Sequence, residues 1–82
     1  MKFLEEIERL KRLDRLIRLK ATGTPTQLAS RLAVSERTVF NEIDILRSLG
    51  APVEFCKTRR SYYYEHEVTI EFGLIRNGKE KI

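Results

Sequence analysis

The sequence predicts a mainly helical domain with a small β-sheet, in which three helices precede a β-hairpin. Apolar residues recur at three- and four-residue spacing as far as Leu49, which is the helical period. After Gly50 and Pro52 the spacing changes to two, which is typical of strands. With 82 residues, 41% of them hydrophobic, the chain suffices for one small core. We expect a single domain over residues 1–75 and a flexible tail over residues 76–82.

The first helix is predicted over residues 2–20. Acid-before-base pairs at four-residue spacing add about a few tenths of a kcal/mol each to its stability. We expect residues 10–19 to pack on the following helices. The N-terminal end, with Phe3, Leu4 and Ile7, is longer than a three-helix core requires, and it favours pairing with a second copy of the chain. The apolar stripe comprises Phe3, Ile7, Leu10, Leu13 and Ile17, widened by Leu4 and Leu16.

Two amphipathic helices joined by a tight turn are predicted within residues 24–49. Thr24 is the N-cap of the first and Pro25 fits its first helical position. Ser35 is the N-cap of the second, and Gly50 closes it in the left-handed conformation. A helix of about two turns that meets a longer one across roughly three residues is the arrangement of a helix-turn-helix. The apolar stripes are Leu28, Ala29 and Leu32 in the first helix, and Val39, Ile43 and Leu46 in the second; small residues, Ala29 and Ala33, stand where the helices approach closely.

The face of the second helix that its apolar stripe leaves free is polar. In a DNA-binding helix-turn-helix, the N-terminal part of this helix enters the major groove. Arginine can pair with guanine and asparagine with adenine, so Arg37 and Asn41 are candidate base contacts. Thr26 and Gln27, at the start of the preceding helix, either contact phosphate or simply cap that helix. The candidates on the second helix are Ser35, Glu36, Arg37, Thr38, Phe40 and Asn41.

A hairpin is predicted after Gly50, with residues 53–56 and 62–64 as its strands. Its tip, residues 57–61, is basic and can reach a phosphate backbone or a minor groove. Such a turn usually contains glycine; Ser61 takes that place here and leaves the turn type open. The alternation buries either Tyr63 or the Tyr62 and Tyr64 pair, so we expect core packing of the tyrosines rather than base stacking. The candidate DNA contacts in the tip are Lys57, Arg59 and Arg60.

A third strand is predicted over residues 68–72, where apolar and polar residues alternate. It either extends the hairpin sheet or pairs with another chain through its open edge.

From Leu28 to Leu46 the chain reads Leu-Ala-x-x-Leu-Ala-Val-Ser-x-x-Thr-Val-x-x-x-Ile-x-x-Leu. This motif resembles the winged helix-turn-helix domains at the N-termini of DeoR-type regulators and of the biotin repressor, the HTH type 11 class. With flanking segments the similarity covers about residues 7–65. The resemblance implies the fold of a bacterial-type transcription regulator, in which the hairpin is the wing.

The resemblance also implies that Arg37, Thr38 and Asn41 face DNA. Two departures from the family pattern stand out. The family often carries glycine where Ala33 stands, which is a mild change in packing. It also tends to have a basic residue and aspartate where Asn41 and Glu42 stand, so the reading helix of this chain is less cationic.

The charge distribution permits nucleic-acid binding without requiring it. The formal net charge is +4 and the pI is near 9.5. Residues 1–20 carry seven Lys and Arg against four Asp and Glu, and residues 57–60 form a second basic cluster. Residues 36–44 contain three acids against Arg37 alone, and acids would repel phosphate. This favours an alternative, a protein-interaction module on the same fold. The three acids are Glu36, Glu42 and Asp44.

Other classes of protein are disfavoured. No apolar run approaches the roughly 18 residues that span a bilayer, and interleaved acids argue against residues 2–20 as a membrane-surface helix. The N-terminus is too charged for a signal peptide. The single cysteine, Cys56, fits a reducing cytoplasm. His66 has no ligand partners at metal spacing, and phosphate-loop and paired-carboxylate motifs are missing, so we expect no metal, no cofactor and no enzymatic activity.

The sequence therefore predicts a cytoplasmic protein that binds double-stranded DNA sequence-specifically in transcription control. Residues 35–49 would lie in the major groove, and the wing tip, residues 57–61, on the adjacent backbone or minor groove. A homodimer, formed through the N-terminal helix or the C-terminal strand, would read two half-sites about 34 Å apart or a multiple of that.

Overall fold

The computed structural model describes residues 2–68, with the side chains of residues 4–68. Three helices precede one antiparallel hairpin, in which Val53 pairs with Tyr64 and Cys56 with Ser61. The predicted fold class is confirmed. Val68 is half-buried against the core, and the rest of the predicted third strand lies outside the described residues. The elements are α1 Lys2–Arg18, α2 Pro25–Leu32, α3 Glu36–Ser48, β1 Val53–Cys56 and β2 Ser61–Tyr64.

One hydrophobic core lies between the three helices and the hairpin. Ile7 is half-buried and Leu4 is 48% exposed, so the N-terminal turns of α1 lie at the margin of this core. Within the described residues, none of the helices combines the length and the apolar character that crossing a bilayer would take. The buried apolar residues are Leu10, Leu13, Ile17, Leu28, Ala29, Leu32, Val39, Ile43, Leu46, Ala51, Val53 and Tyr62.

All three helices end in the same hydrogen-bond pattern, a Schellman motif. In each, one residue has a positive φ, and the next N–H donates to a carbonyl five residues back, as Ala51 does to Leu46 at 3.0 Å. The left-handed residues are Lys20, Ala33 and Gly50, with φ of 54°, 58° and 98°. The predicted role of Gly50 is confirmed.

Two expectations at these helix ends are wrong. Ala33 is exposed and forms the turn, so it does not mediate close helix packing. An L-residue in this conformation costs about 1 kcal/mol or more, which gives a physical reason for glycine at this position in the resembled family. Leu19 is 65% exposed, because it stands two residues, a rotation of about 200°, after the buried Ile17 and so projects from the opposite side of the helix. The packed part of α1 therefore stops before Leu19.

The hairpin packs on the helices through its tyrosines. The rings of Phe55 and Tyr62 meet edge-on with centroids 5.0 Å apart. The hydroxyl of Tyr64 donates to Asp14 of α1 at 2.6 Å. Tyr62 is buried and Tyr64 half-buried, which confirms that the tyrosines serve core packing and that the Tyr62 and Tyr64 pair faces the helices.

A buried polar contact joins β2 to the segment between α1 and α2. The N–H of Thr22 donates to the hydroxyl of Ser61 at 3.1 Å, and the hydroxyl of Thr22 accepts from the N–H of Tyr62 at 2.9 Å. Ser61 is therefore the buried first residue of β2, and its expected place in the turn is wrong. The left-handed position of the turn belongs to Arg60, with φ of 55°.

Candidate nucleic-acid interface

The first turn of α2 is closed by a capping box. The hydroxyl of Thr24 accepts from the N–H of Gln27 at 3.3 Å, and the side-chain oxygen of Gln27 accepts from the N–H of Thr24 at 2.9 Å. Of the two roles considered for Gln27, its side chain takes the capping one. Pro25 occupies the first helical position, as predicted.

The first turn of α3 is fixed both internally and from α2. The hydroxyl of Ser35 accepts from the N–H of Thr38 at 3.1 Å, which confirms the predicted N-cap. The hydroxyl of Thr26 donates to the carboxylate of Glu36 at 2.8 Å. This hydrogen bond joins the N-terminal turns of the two helices, so their positive dipole ends lie close together.

The outward face of α3 carries side chains that the core does not use. Val39, Ile43 and Leu46 are buried, whereas Arg37 and Asn41 are exposed and stand four residues apart, which places them side by side. Arg37 forms no ion pair with any residue in the described part of the chain. It is free to meet a ligand.

Phe40 lies at the edge of this outward face. Its side chain is 47% exposed. It belongs neither to the buried core nor to the half-buried residues packed against it, in contrast to Phe55. Thr38, on the other edge, is half-buried.

The three acids of α3 do not form the acidic side that their order in the sequence suggested. Glu42 is buried, and its carboxylate accepts from Arg9 of α1 at 2.5 Å. Glu36 is held by Thr26. The exposed carboxylate of Asp44 lies 3.7 Å from Arg47. The presumed repulsion of phosphate by Glu42 is therefore wrong, because the residue faces α1.

The wing tip is a four-residue turn, residues 57–60, between β1 and β2. Lys57, Arg59 and Arg60 are all exposed, and none of them forms an ion pair with another residue of the described range 4–68. Their charges are thus available to a polyanion.

Arg47 is a positioning residue that the sequence did not reveal. Its guanidinium donates to the carbonyl of Val53 at 3.2 and 3.0 Å, so it fastens the base of the wing to the last turn of α3. The only signal was a basic residue in the last turn of a helix, which is common at helix C-termini. No hydrogen bond or ion pair between described residues joins the wing tip to the first turn of α3.

His66 was considered as a metal ligand, and Cys56 is the single cysteine of the chain. Cys56 is half-buried and His66 is exposed. Residues 4–68 contain no group of three His, Cys, Asp or Glu side chains that could hold a metal ion.

Three helices, with a tight turn between the second and third, followed by an antiparallel hairpin, define the winged helix-turn-helix class of fold. A family model described as an HTH domain, of type 11, matches residues 8–64, which is more than half of the chain. The chain belongs to this family of helix-turn-helix domains, whose general role is DNA binding in transcription regulation. Searches of the curated proteins and of the solved structures found no match.

Proposed function

We propose that this chain binds double-stranded DNA sequence-specifically and thereby regulates transcription. The observation that carries the proposal is the exposed pair Arg37 and Asn41, side by side on the first two turns of α3, on a face that the core leaves free. These are the side chains best suited to guanine and adenine edges in the major groove. The outward face of α3 would dock there, N-terminal turns first.

The wing would contribute affinity and little sequence information. Lys57, Arg59 and Arg60 crowd into a short exposed turn, and their charges are unpaired within the described residues. Contacts of such cations with phosphate release counterions. Each contact makes the slope of log binding constant against log salt concentration more negative by about 0.9. The wing tip would therefore lie on the backbone or minor groove next to the site read by α3.

The experiment begins with selection of bound sequences from a random duplex pool. Arg37→Ala and Arg59→Ala are then titrated with the selected duplex over a range of salt concentrations. We expect Arg37→Ala to cost about 1–3 kcal/mol and to relax the preference at one base pair. Arg59→Ala should weaken all sequences alike and reduce the salt slope by about 1.

Arg15→Ala is the matched control, because Arg15 is an exposed arginine on α1 and carries the same charge. It should leave the selected preference unchanged. A pool without enrichment, or variants at Arg37 and Arg59 that bind like the Arg15 variant, would overturn the proposal. The alternative, a protein-interaction module, would gain from that result. The acidic face that motivated this alternative is smaller than the sequence suggested, since Glu42 is not on the surface.

A homodimer through the first turns of α1 is part of the proposal, because the apolar side chain of Leu4 stands 48% exposed there. The other route, through the C-terminal strand, falls mostly outside the described residues. A monomeric mass in solution, free and on the selected duplex, would remove the dimer and leave DNA binding by one half-site.

A further inference from the structure

Phe40 is 47% exposed and lies outside the buried core of the described residues. The other phenylalanine whose side chain the structure describes, Phe55, packs on the ring of Tyr62 with centroids 5.0 Å apart. Phe40 has no aromatic partner among residues 4–68 and is not one of the buried core residues, yet it stands within a well-formed helix. An aromatic ring left half in water forgoes the burial that favours such residues in a fold.

The neighbours of Phe40 define the kind of ligand that would cover it. Residues three apart on a helix are adjacent, so Phe40 lies beside Arg37, at the edge of the outward face that also carries Asn41. An apolar ring thus stands beside one side chain that forms bidentate hydrogen bonds, and on the same outward face as a second. The edges of bases in the major groove offer the same combination, since donors and acceptors there are interrupted by one apolar group, the C5-methyl group of thymine.

We propose that Phe40 determines specificity by contacting the C5-methyl group of a thymine beside the bases read by Arg37 and Asn41. This inference rests on the proposed function. Cytosine carries the same methyl group when it is methylated at C5, and unmethylated cytosine does not carry it. The selected site is therefore expected to contain a thymine at a fixed position, and the contact is lost when only the methyl group is removed.

Deoxyuridine is the direct probe, because it differs from thymidine by the methyl group alone. Each thymine of the selected duplex is replaced in turn, and binding of the full chain is measured. At one position the replacement should weaken binding about fourfold, which corresponds to the roughly 0.8 kcal/mol of one buried methyl group. Phe40→Ala should bind more weakly and be indifferent to the replacement at that position.

Two further variants keep the comparison sound. Arg15→Ala should retain the sensitivity to deoxyuridine. Phe40→Leu, which preserves an apolar side chain, should retain part of it. The thermal midpoint of Phe40→Ala should match that of the unaltered chain, because the ring is not part of the core; even if it does not, the deoxyuridine series on the unaltered chain stands alone.

Several outcomes would overturn the inference. Binding by the unaltered chain that ignores deoxyuridine at every position is one. Equal sensitivity in Phe40→Ala and the unaltered chain is another. Binding that is tighter when a cytosine is replaced by 5-methylcytosine, and unchanged when any thymine is replaced by deoxyuridine, would reassign the contact to methylated DNA. Failure to select any duplex is a different result, because it removes the proposed function itself.

Discussion

Glu42 and Asp44 stand two positions apart on α3 and carry the same charge, yet their environments are opposite. The side chain of Glu42 is 3% exposed and is paired with Arg9, whereas that of Asp44 is 73% exposed and lies near Arg47. Two residues on an α-helix correspond to a rotation of about 200°, so the two carboxylates project from opposite sides. The acid at 42 belongs to the fold, and the acid at 44 belongs to the surface proposed to meet DNA.

The buried pair fixes the position of α1 on α3 more than it adds net stability. One carboxylate oxygen of Glu42 accepts from Arg9, and the other is buried without a hydrogen-bond partner among the described residues. Desolvation of two charges offsets most of their attraction when the pair is incompletely hydrogen-bonded. Removal of one member is a different matter, because the remaining charge stays buried.

The largest effect in this comparison is expected from Arg9→Ala. The variant leaves the carboxylate of Glu42 buried and unpaired, which typically costs 3–5 kcal/mol. Because Arg9 is itself 24% exposed, we expect the lower end, a loss of about 3 kcal/mol in the free energy of unfolding. Urea denaturation followed by circular dichroism measures it.

The double variant Arg9→Met, Glu42→Leu is the control for that measurement. It removes both charges and should recover most of the lost stability. A single Arg9→Ala variant within about 0.5 kcal/mol of the unaltered chain would mean that the pair is not needed, since that is the size of an ordinary surface substitution.

Asp14, an acid of α1, is intermediate in exposure between Glu42 and Asp44. It accepts from the Tyr64 hydroxyl at 2.6 Å and pairs with Arg18 at 3.0 Å. The pKa of Tyr64 is raised well above the ordinary 10. Burial of the hydroxyl is the largest cause, followed by its hydrogen bond to Asp14 and by the negative charge of Asp14. A raised pKa in the folded state means that stability is fully present below about pH 10 and falls as the pH rises further.

Tyr64→Phe should therefore lower the free energy of unfolding by about 1 kcal/mol at neutral pH and flatten its decline above about pH 10. Some decline remains, because burial also raises the pKa of Tyr62. Urea denaturation at several pH values measures both effects. Tyr63→Phe, a matched change at a half-buried tyrosine of the same strand, should keep the full decline. Equal slopes for Tyr64→Phe and the unaltered chain would contradict the assignment.

The three helices, two N-caps and one C-terminal glycine were predictable because their determinants are local. Thr24 and Ser35 each cap the residues that directly follow, and Gly50 ends the helix that directly precedes it. The apolar period then identifies the face that is buried. These features span a few residues each, so the order of elements follows from the chain itself.

The polar contacts across the molecule were not predictable in the same way. Arg9 and Glu42 are 33 positions apart, and Thr22 and Ser61 are 39 apart. Each of these residues resembles a surface residue until the helices have packed. The candidate site was predictable only in part for the same reason. The exposed face of α3 followed from the spacing of its apolar residues, but the burial of Glu42 depended on where α1 lies.

The smallest effect in the comparison is expected from Asp44→Asn, and it acts on binding. Asp44 is three residues, about five-sixths of a turn, from Asn41 on the outward face, so its charge would stand near the DNA backbone. The ion pair with Arg47 is exposed and contributes little to stability, and Arg47 keeps its hydrogen bonds to Val53. We expect unchanged unfolding and about twofold to fivefold tighter binding to the selected duplex, an advantage that shrinks as salt shortens the Debye length.

Glu65→Gln, at an exposed acid after β2, removes the same charge elsewhere and should change binding less. Weaker binding by Asp44→Asn would contradict the expectation. It would identify the carboxylate as an acceptor for a cytosine amino group, which is the contact that acids make in the major groove. The acid at 44 would then be a reading residue, and its contrast with the structural acid at 42 would become sharper, since the two charges would serve recognition and packing separately.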